Sequence, residues 1–368
     1  MLISIWILLI ISGLVNKKSN ILTLIQIIFS IFMFTFDYRN PDRLLYINNF
    51  WMVKSDPSQI LSGNPLFNFC LYVFGIFNQY SVAVFLIAVI SFWLLYKGIR
   101  FYTTSTSLVM SLYLISPFII DGTQLKNFMA MCIWIFFSKY LYKAMQRNQL
   151  DKNVFMYMIG VFISTLVHFS FMYTAIYVFI VFMKVDNFKH TFISIISLIT
   201  VSLLVKNFQP ILNLLNFGSF RLATSKINDY EINYNIDSAD ARLKVTVLFF
   251  VIVLLLLMVT FKTMNYTLLS KQYYLFVTSI TVLTLPILFI INFSMEIYRI
   301  QRNLLPMYYI LLAMTMNQNQ VNPTKKHLSI PLRNAIMCLI SISIALFYLL
   351  TESVIWNYDS VFKMMFHL

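Results

Sequence analysis

The sequence predicts an all-α fold, a polytopic integral membrane protein with about twelve transmembrane helices, in a range of about 11–14. Three observations predict it. Hydrophobic residues fill 60% of 368 positions and charged residues only 11%, a balance far from that of water-soluble folds. The apolar residues come in blocks rather than stripes. In Val245–Phe261 the hydroxyls of Thr246 and Thr260 are the only polar side-chain groups, and Ala335–Leu350 and Tyr273–Asn292 read similarly. Such blocks suit bilayer-spanning helices, because lipid offers the backbone no partner and the helix satisfies itself. Third, Lys and Arg collect in alternate short loops, the signature of cytoplasmic connections.

In chain order, spans are expected near 2–15, 21–36, 81–96, 106–120, 128–142, 154–168, 170–183, 190–205, 245–261, 272–292, 302–316 and 334–350. Met1–Val15 has no positive stretch before it and no small-residue cleavage site after it, so it reads as a first span rather than a cleaved leader. The stretch 65–77 opens at Pro65, closes at Asn78-Gln79 and is too short to span, so it reads as an interfacial or re-entrant helix. Basic connections hold Lys17 and Lys18; Lys97 and Arg100; Lys143, Arg147 and Lys152; Lys184 and Lys189; Lys262 and Lys271; and Lys325, Lys326 and Arg333. They place both termini outside, with two long outer segments at about 37–64 and 206–244. No repeat or linker divides the chain, so residues 1–368 read as one membrane domain.

The net charge of +14 is spread over short loops with no basic domain behind it, which argues against a nucleic-acid partner. Cys70, Cys132 and Cys338 sit far apart in apolar stretches and read as buried thiols. No His/Cys/carboxylate spacing suggests a metal site, and no cofactor is expected. Gly-rich phosphate loops and Ser nucleophile elbows are absent as well.

The expected outer face carries the chemistry. Eleven of the thirteen acids fall there, and six of the nine arginines against six of the eighteen lysines. Lysine satisfies a topological signal; arginine placed against it suggests a binding task, since its planar fork grips phosphate and carboxylate bidentately. Ion pairing with the nearby acids is the alternative for any one arginine. Three clusters stand out. Asp37-Tyr38-Arg39-Asn40-Pro41-Asp42-Arg43 runs on to Tyr46 at the end of the second span. Glu296 precedes Tyr298, Arg299, Arg302 and Asn303. Asp121 to Asn127 puts Lys126 at the start of a helix, where the dipole disfavours a cation unless an anion meets it. A solvated or Asp121-paired lysine is the alternative there. His168, between two apolar half-stretches, reads first as a polar residue at a helix–helix turn, and it is the only histidine outside a cytoplasmic loop or the extreme tail. The span interiors hold few ionisable groups, which favours a fixed site at the outer surface over a translocation path.

In these clusters the chain resembles the EpsG/Wzy-type polysaccharide polymerases. Arg39, Asp42 and Tyr46 follow the family's first outer loop in order. Asn64-Pro65-Leu66-Phe67 through Tyr96-Lys97-Gly98 fits its short helix and aromatic span. Lys126 stands where the family has an arginine, which keeps the charge and loses the fork. The basic loop Lys143–Lys152, then His168, Tyr298-Arg299 and the tail Trp356-Asn357-Tyr358 follow in place. The resemblance implies a GT-C-like helical architecture and a metal-independent glycosyltransferase of the bacterial cytoplasmic membrane. Its substrates are undecaprenyl-pyrophosphate-linked repeat units, joined at the outer face into exopolysaccharide, capsule or O-antigen. A flippase and a chain-length regulator of the same pathway are the protein partners it suggests. Arg39, Tyr46, Lys126, Arg221, Tyr298, Arg299 and Arg302 are then candidates for pyrophosphate or sugar binding. Asp42, His168 and Glu296 are candidates for the base that takes the acceptor proton. A lipid-linked oligosaccharide flippase or other transporter, and another lipid-dependent glycosyltransferase, are the alternatives. A membrane acyltransferase fits less well, because the inner loops are poor in histidine and carboxylates.

Overall fold

The computed structural model describes residues 2–36, 42–182, 268–284, 300 and 302–316, with isolated helical residues at 335, 339, 342, 343, 345 and 346. Among these, every regular element is helical. The expected spans at 190–205 and 245–261, most of that at 334–350 and the outer segment 206–244 lie outside the described residues.

Helices α1 (Leu2–Val15) and α2 (Asn20–Thr35) form where the first two spans are expected. The Ser19 side chain accepts from the Leu22 amide and caps α2. The outer segment read as loop contains α3 (Arg43–Ser55) and a 3₁₀ turn, Pro57–Leu61. Its mixed composition concealed an amphipathic stripe. Tyr46, Phe50 and Val53, spaced by four and three, are the buried residues of α3. The short helix expected over 65–77 is α4 (Pro65–Phe74) with a 3₁₀ turn behind it. Asn68 ties these pieces together, accepting from Asn49 at 3.0 Å and donating to the Ser62 carbonyl at 2.7 Å.

Helix α5 (Tyr80–Tyr102) is long and apolar enough to cross a membrane. Seven further apolar helical stretches of 10–17 residues, among the described residues, are shorter than the roughly 20 residues of a standard span. Helix α6 (Thr106–Ile115) stops short of the expected 106–120 because Pro117 lacks an N–H and restricts Ser116. A short α7 (Phe118–Thr123) and the long α8 (Leu125–Arg147) follow, the latter ended by Asn148 at φ 52°. Helix α9 (Lys152–Val167) leads into a thirteen-residue 3₁₀ helix, Phe169–Val181, where an ordinary span was expected. At about 2.0 Å per residue this segment reaches about 26 Å, against about 20 Å as an α-helix. It is braced by Tyr157, whose hydroxyl donates to the Thr174 carbonyl at 2.7 Å, and by Tyr177 against Thr284 at 2.9 Å. Helices α10 (Leu268–Thr284) and α11 (Leu305–Met316) complete the described set.

Every residue of α6 is buried, as is nearly all of α11, so these two form the interior of the bundle. Helix α6 packs against α1, α2 and α11, and α8 packs against α5 and α9. A polar seam joins α1, α2 and α6: Gln26 donates to the Leu9 carbonyl and to Ser111 Oγ, at 3.1 and 2.8 Å, and Thr23 meets Thr106 at 2.8 Å. Polar side chains of this kind hold helices together where lipid removes the hydrophobic drive. At one end of the bundle Arg100 reaches Asn20 at 3.4 Å and Gln146 reaches Gln272 at 2.7 Å. The start of α8 lies about 30 Å away along that helix. The described cysteines, Cys70 and Cys132, are free thiols.

Candidate functional site

Pro117 breaks the chain after α6, and α7 turns it back into α8 at Gln124, whose backbone leaves the helical region at φ −114°, ψ 57°. This elbow presents Asp121, Gln124 and Asn127 at intervals of three, one face of a helical path. All three are buried, and they meet residues 302–303 at the head of α11. Arg302 Nε lies 3.3 Å from Asp121 Oδ1, and both side chains are 0% exposed. Arg302 Nη2 donates to Gln124 Oε1 at 2.7 Å, and the Tyr113 hydroxyl donates to Asp121 Oδ2 at 3.0 Å. Asn127 and Asn303 exchange amide bonds in both directions, at 2.9 and 3.2 Å. Asp121 lies in the connection, outside the expected spans on either side. Burial raises its carboxyl to about 6, against the pull of Arg302 and of the Tyr113 hydroxyl.

Another face of the elbow carries Lys126. Its Nζ lies 5.3 Å from the Tyr46 ring centroid and 5.5 Å from that of Phe67, two rings that themselves lie 6.0 Å apart. Lys126 is half-buried, and a cation over such faces is held electrostatically by the ring quadrupoles. Asp121, the other partner considered for this lysine, is turned to Arg302 instead. Asp42 heads α3, its carbonyl accepting from the Tyr46 amide at 3.0 Å. Arg43 lies over the Tyr80 ring at 5.5 Å.

His168 ends α9, 8% exposed, with Nδ1 2.7 Å from Ser170 Oγ. Ser170 lines a small cleft with Trp134, Phe171, Thr174, Tyr177 and Asn303. That cleft runs from the partner of His168 to the partner of Asn127.

The three clusters marked by the sequence therefore meet at one elbow. Tyr46 of the first and Lys126 of the third are in contact, and Arg302 of the second pairs with Asp121 of the third. Asp42 and His168 stand on separate elements, at the head of α3 and the end of α9. Arg39, Arg221, Glu296, Tyr298 and Arg299 lie outside the described residues. Arg302, a candidate for pyrophosphate binding with ion pairing to an acid as the alternative, is buried in an ion pair with Asp121. Gln124, Tyr113, Asn127, Asn303 and Ser170 were not expected as site residues. The spacing of Asp121, Gln124 and Asn127 behind Pro117 was the available signal. Among the described residues no group of three His, Cys, Asp or Glu side chains is placed to hold a metal ion.

The described bundle is helical throughout, with one helix long and apolar enough to cross a membrane, as a helical membrane protein requires. The EpsG family's model matches residues 20–361, and the chain belongs to that family, which comprises Wzy-type polymerases. Membership supports a polysaccharide-polymerase-like function. None of the curated proteins and none of the solved structures compared with the chain matches it.

Proposed function

We propose that this chain is a metal-independent glycosyltransferase that joins undecaprenyl-pyrophosphate-linked oligosaccharide repeat units into exopolysaccharide, capsule or O-antigen. The reaction takes place at the outer face of a bacterial cytoplasmic membrane, which the chain crosses about twelve times as one domain of GT-C-like architecture. The observation that carries this reading is the convergence of the first outer helix and the segment at residue 302 on the elbow bearing Lys126.

An acceptor hydroxyl on one lipid-linked repeat attacks the anomeric carbon of the growing glycan. The bond from that carbon to the pyrophosphate oxygen breaks, and the pyrophosphate leaves with the electron pair. Its negative charge grows in the transition state, so cations fixed beforehand near the leaving oxygens lower the barrier. Lys126, Arg39, Arg221 and Arg299 are the cations assigned to this task. Tyr46, whose ring lies against the Lys126 ammonium, and Tyr298 are assigned to the sugar. The hydroxyl proton goes to Asp42, His168 or Glu296. A flippase that delivers repeats and a regulator of chain length are the protein partners this reading suggests.

Cells lacking the protein should accumulate single lipid-linked repeats on the outer face, and the purified protein should extend such repeats in detergent with chelator present. Repeats trapped on the cytoplasmic face, or a pure protein that moves lipid without joining sugars, would make the chain a flippase instead.

A further inference from the structure

We propose that Asp121 is a positioning residue which, together with Gln124 and Asn127, fixes the elbow against residues 302–303, and so holds Lys126 in place for the transfer step. The proposal rests on the polymerase reading. Four side-chain contacts join two stretches of chain about 180 residues apart: Asp121 to Arg302, Arg302 to Gln124, and Asn127 with Asn303 in both directions. Two of them meet Arg302 and two meet Asn303, so a slip of one residue at the head of α11 would break all four together. The Tyr113 hydroxyl holds the carboxylate from a third helix, α6.

A buried ion pair is a poor means of stabilising a core, because well-packed apolar residues of similar volume do as well or better. What a charged pair adds is discrimination: an apolar contact tolerates sliding, whereas a charge shifted away from its counter-ion is stranded in a low dielectric. The reciprocal amide pair at the next position has the same property without charge. Lys126 lies between Gln124 and Asn127. Fixing the elbow to residues 302–303 therefore fixes the backbone on which Lys126 stands.

Two double variants test this in the full-length protein: Asp121→Leu with Arg302→Met, and Asn127→Leu with Asn303→Leu. The readouts are thermal midpoint in detergent and steady-state kcat and KM for lipid-linked repeats. The expected result is a midpoint near that of the wild type, kcat lower by about 100-fold, as for a displaced catalytic constellation, and KM nearly unchanged. Wild-type kcat in both folded double variants would overturn the proposal. A raised KM with unchanged kcat in the charged pair would also overturn it, by making Arg302 a direct ligand of the donor. Failure of both double variants to fold would assign the cluster to stability and have the same effect. Absence of extension by the wild-type protein is distinguishable from all of these, because it removes the polymerase reading and the proposal together.

Discussion

Lys126 stands at a position where a cation is expensive to place, in the first turn of a 23-residue helix whose dipole repels it. The Tyr46 and Phe67 rings offset that repulsion and hold the ammonium at a fixed height above α4. Lys126→Arg should keep or raise activity, since guanidinium also stacks on aromatic faces and adds a bidentate grip. Lys126→Met should lower kcat/KM by about 10²-fold, the usual loss when one charge-stabilising donor is removed. Tyr46→Phe retains the ring and should stay near wild type, with Tyr46→Ala falling towards Lys126→Met. A fully active Lys126→Met protein would remove this residue from the site. Lys126, Tyr46 and Arg302 were legible in the sequence because charge and aromatic groups are unusual at the ends of apolar blocks. The partner of Arg302 was not legible: Asp121 is about 180 residues away, and Lys126 was its nearer candidate. Asn127 and Asn303 carry no charge, so nothing in the sequence separated them from ordinary loop amides.

At the scale of elements, the apolar blocks located α1, α2 and α9 to within two residues and the start of α5 to within one, because lipid leaves a continuous apolar run little choice but a helix. Breaks inside those blocks were harder to read. Pro117 ended α6 early, and the aromatic run Phe169–Val181 took the longer 3₁₀ path that its neighbours α9 and α10 brace. Helix α3 was missed because its polar residues masked the Tyr46–Phe50–Val53 stripe. Close helix approach gives a test at this scale. A Cβ placed on Gly160 would meet Phe137 Cβ and Cγ, atoms next to the α8 backbone that have little freedom to move. Small residues at helix crossings are what permits such contact in a membrane bundle. Gly160→Ala should therefore force α8 and α9 apart and destabilise the protein by about 1–3 kcal/mol, read as a lower thermal midpoint in detergent. An unchanged midpoint would mean that α9 is not seated on α8 in this way.

At the scale of the whole molecule, the bundle has two chemically distinct ends. Contacts at one end bring together Asn20 and Arg100, and Gln146 and Gln272, all at or beside the basic connections. The other end holds Tyr46, Lys126, Asp121 and Arg302, and the terminus of α9 at His168. A lipid-linked pyrophosphate sits at the level of the membrane surface, so only one end can meet it after the repeat has been flipped. If positive loops mark the cytoplasm, that end is the elbow end. Single cysteines at Ser55, on the last turn of α3, and at Ser225, in the long outer segment, should then react with a membrane-impermeant reagent in intact cells. Cysteines at Lys18 and Gln149 should react only after the membrane is opened, in a background where Cys70, Cys132 and Cys338 have been replaced. Labelling of Lys18→Cys from outside, with Ser55→Cys silent, would invert the molecule. The elbow would then face the cytoplasm, where unflipped repeats reside, and a polymerising site there would have no flipped substrate to act on.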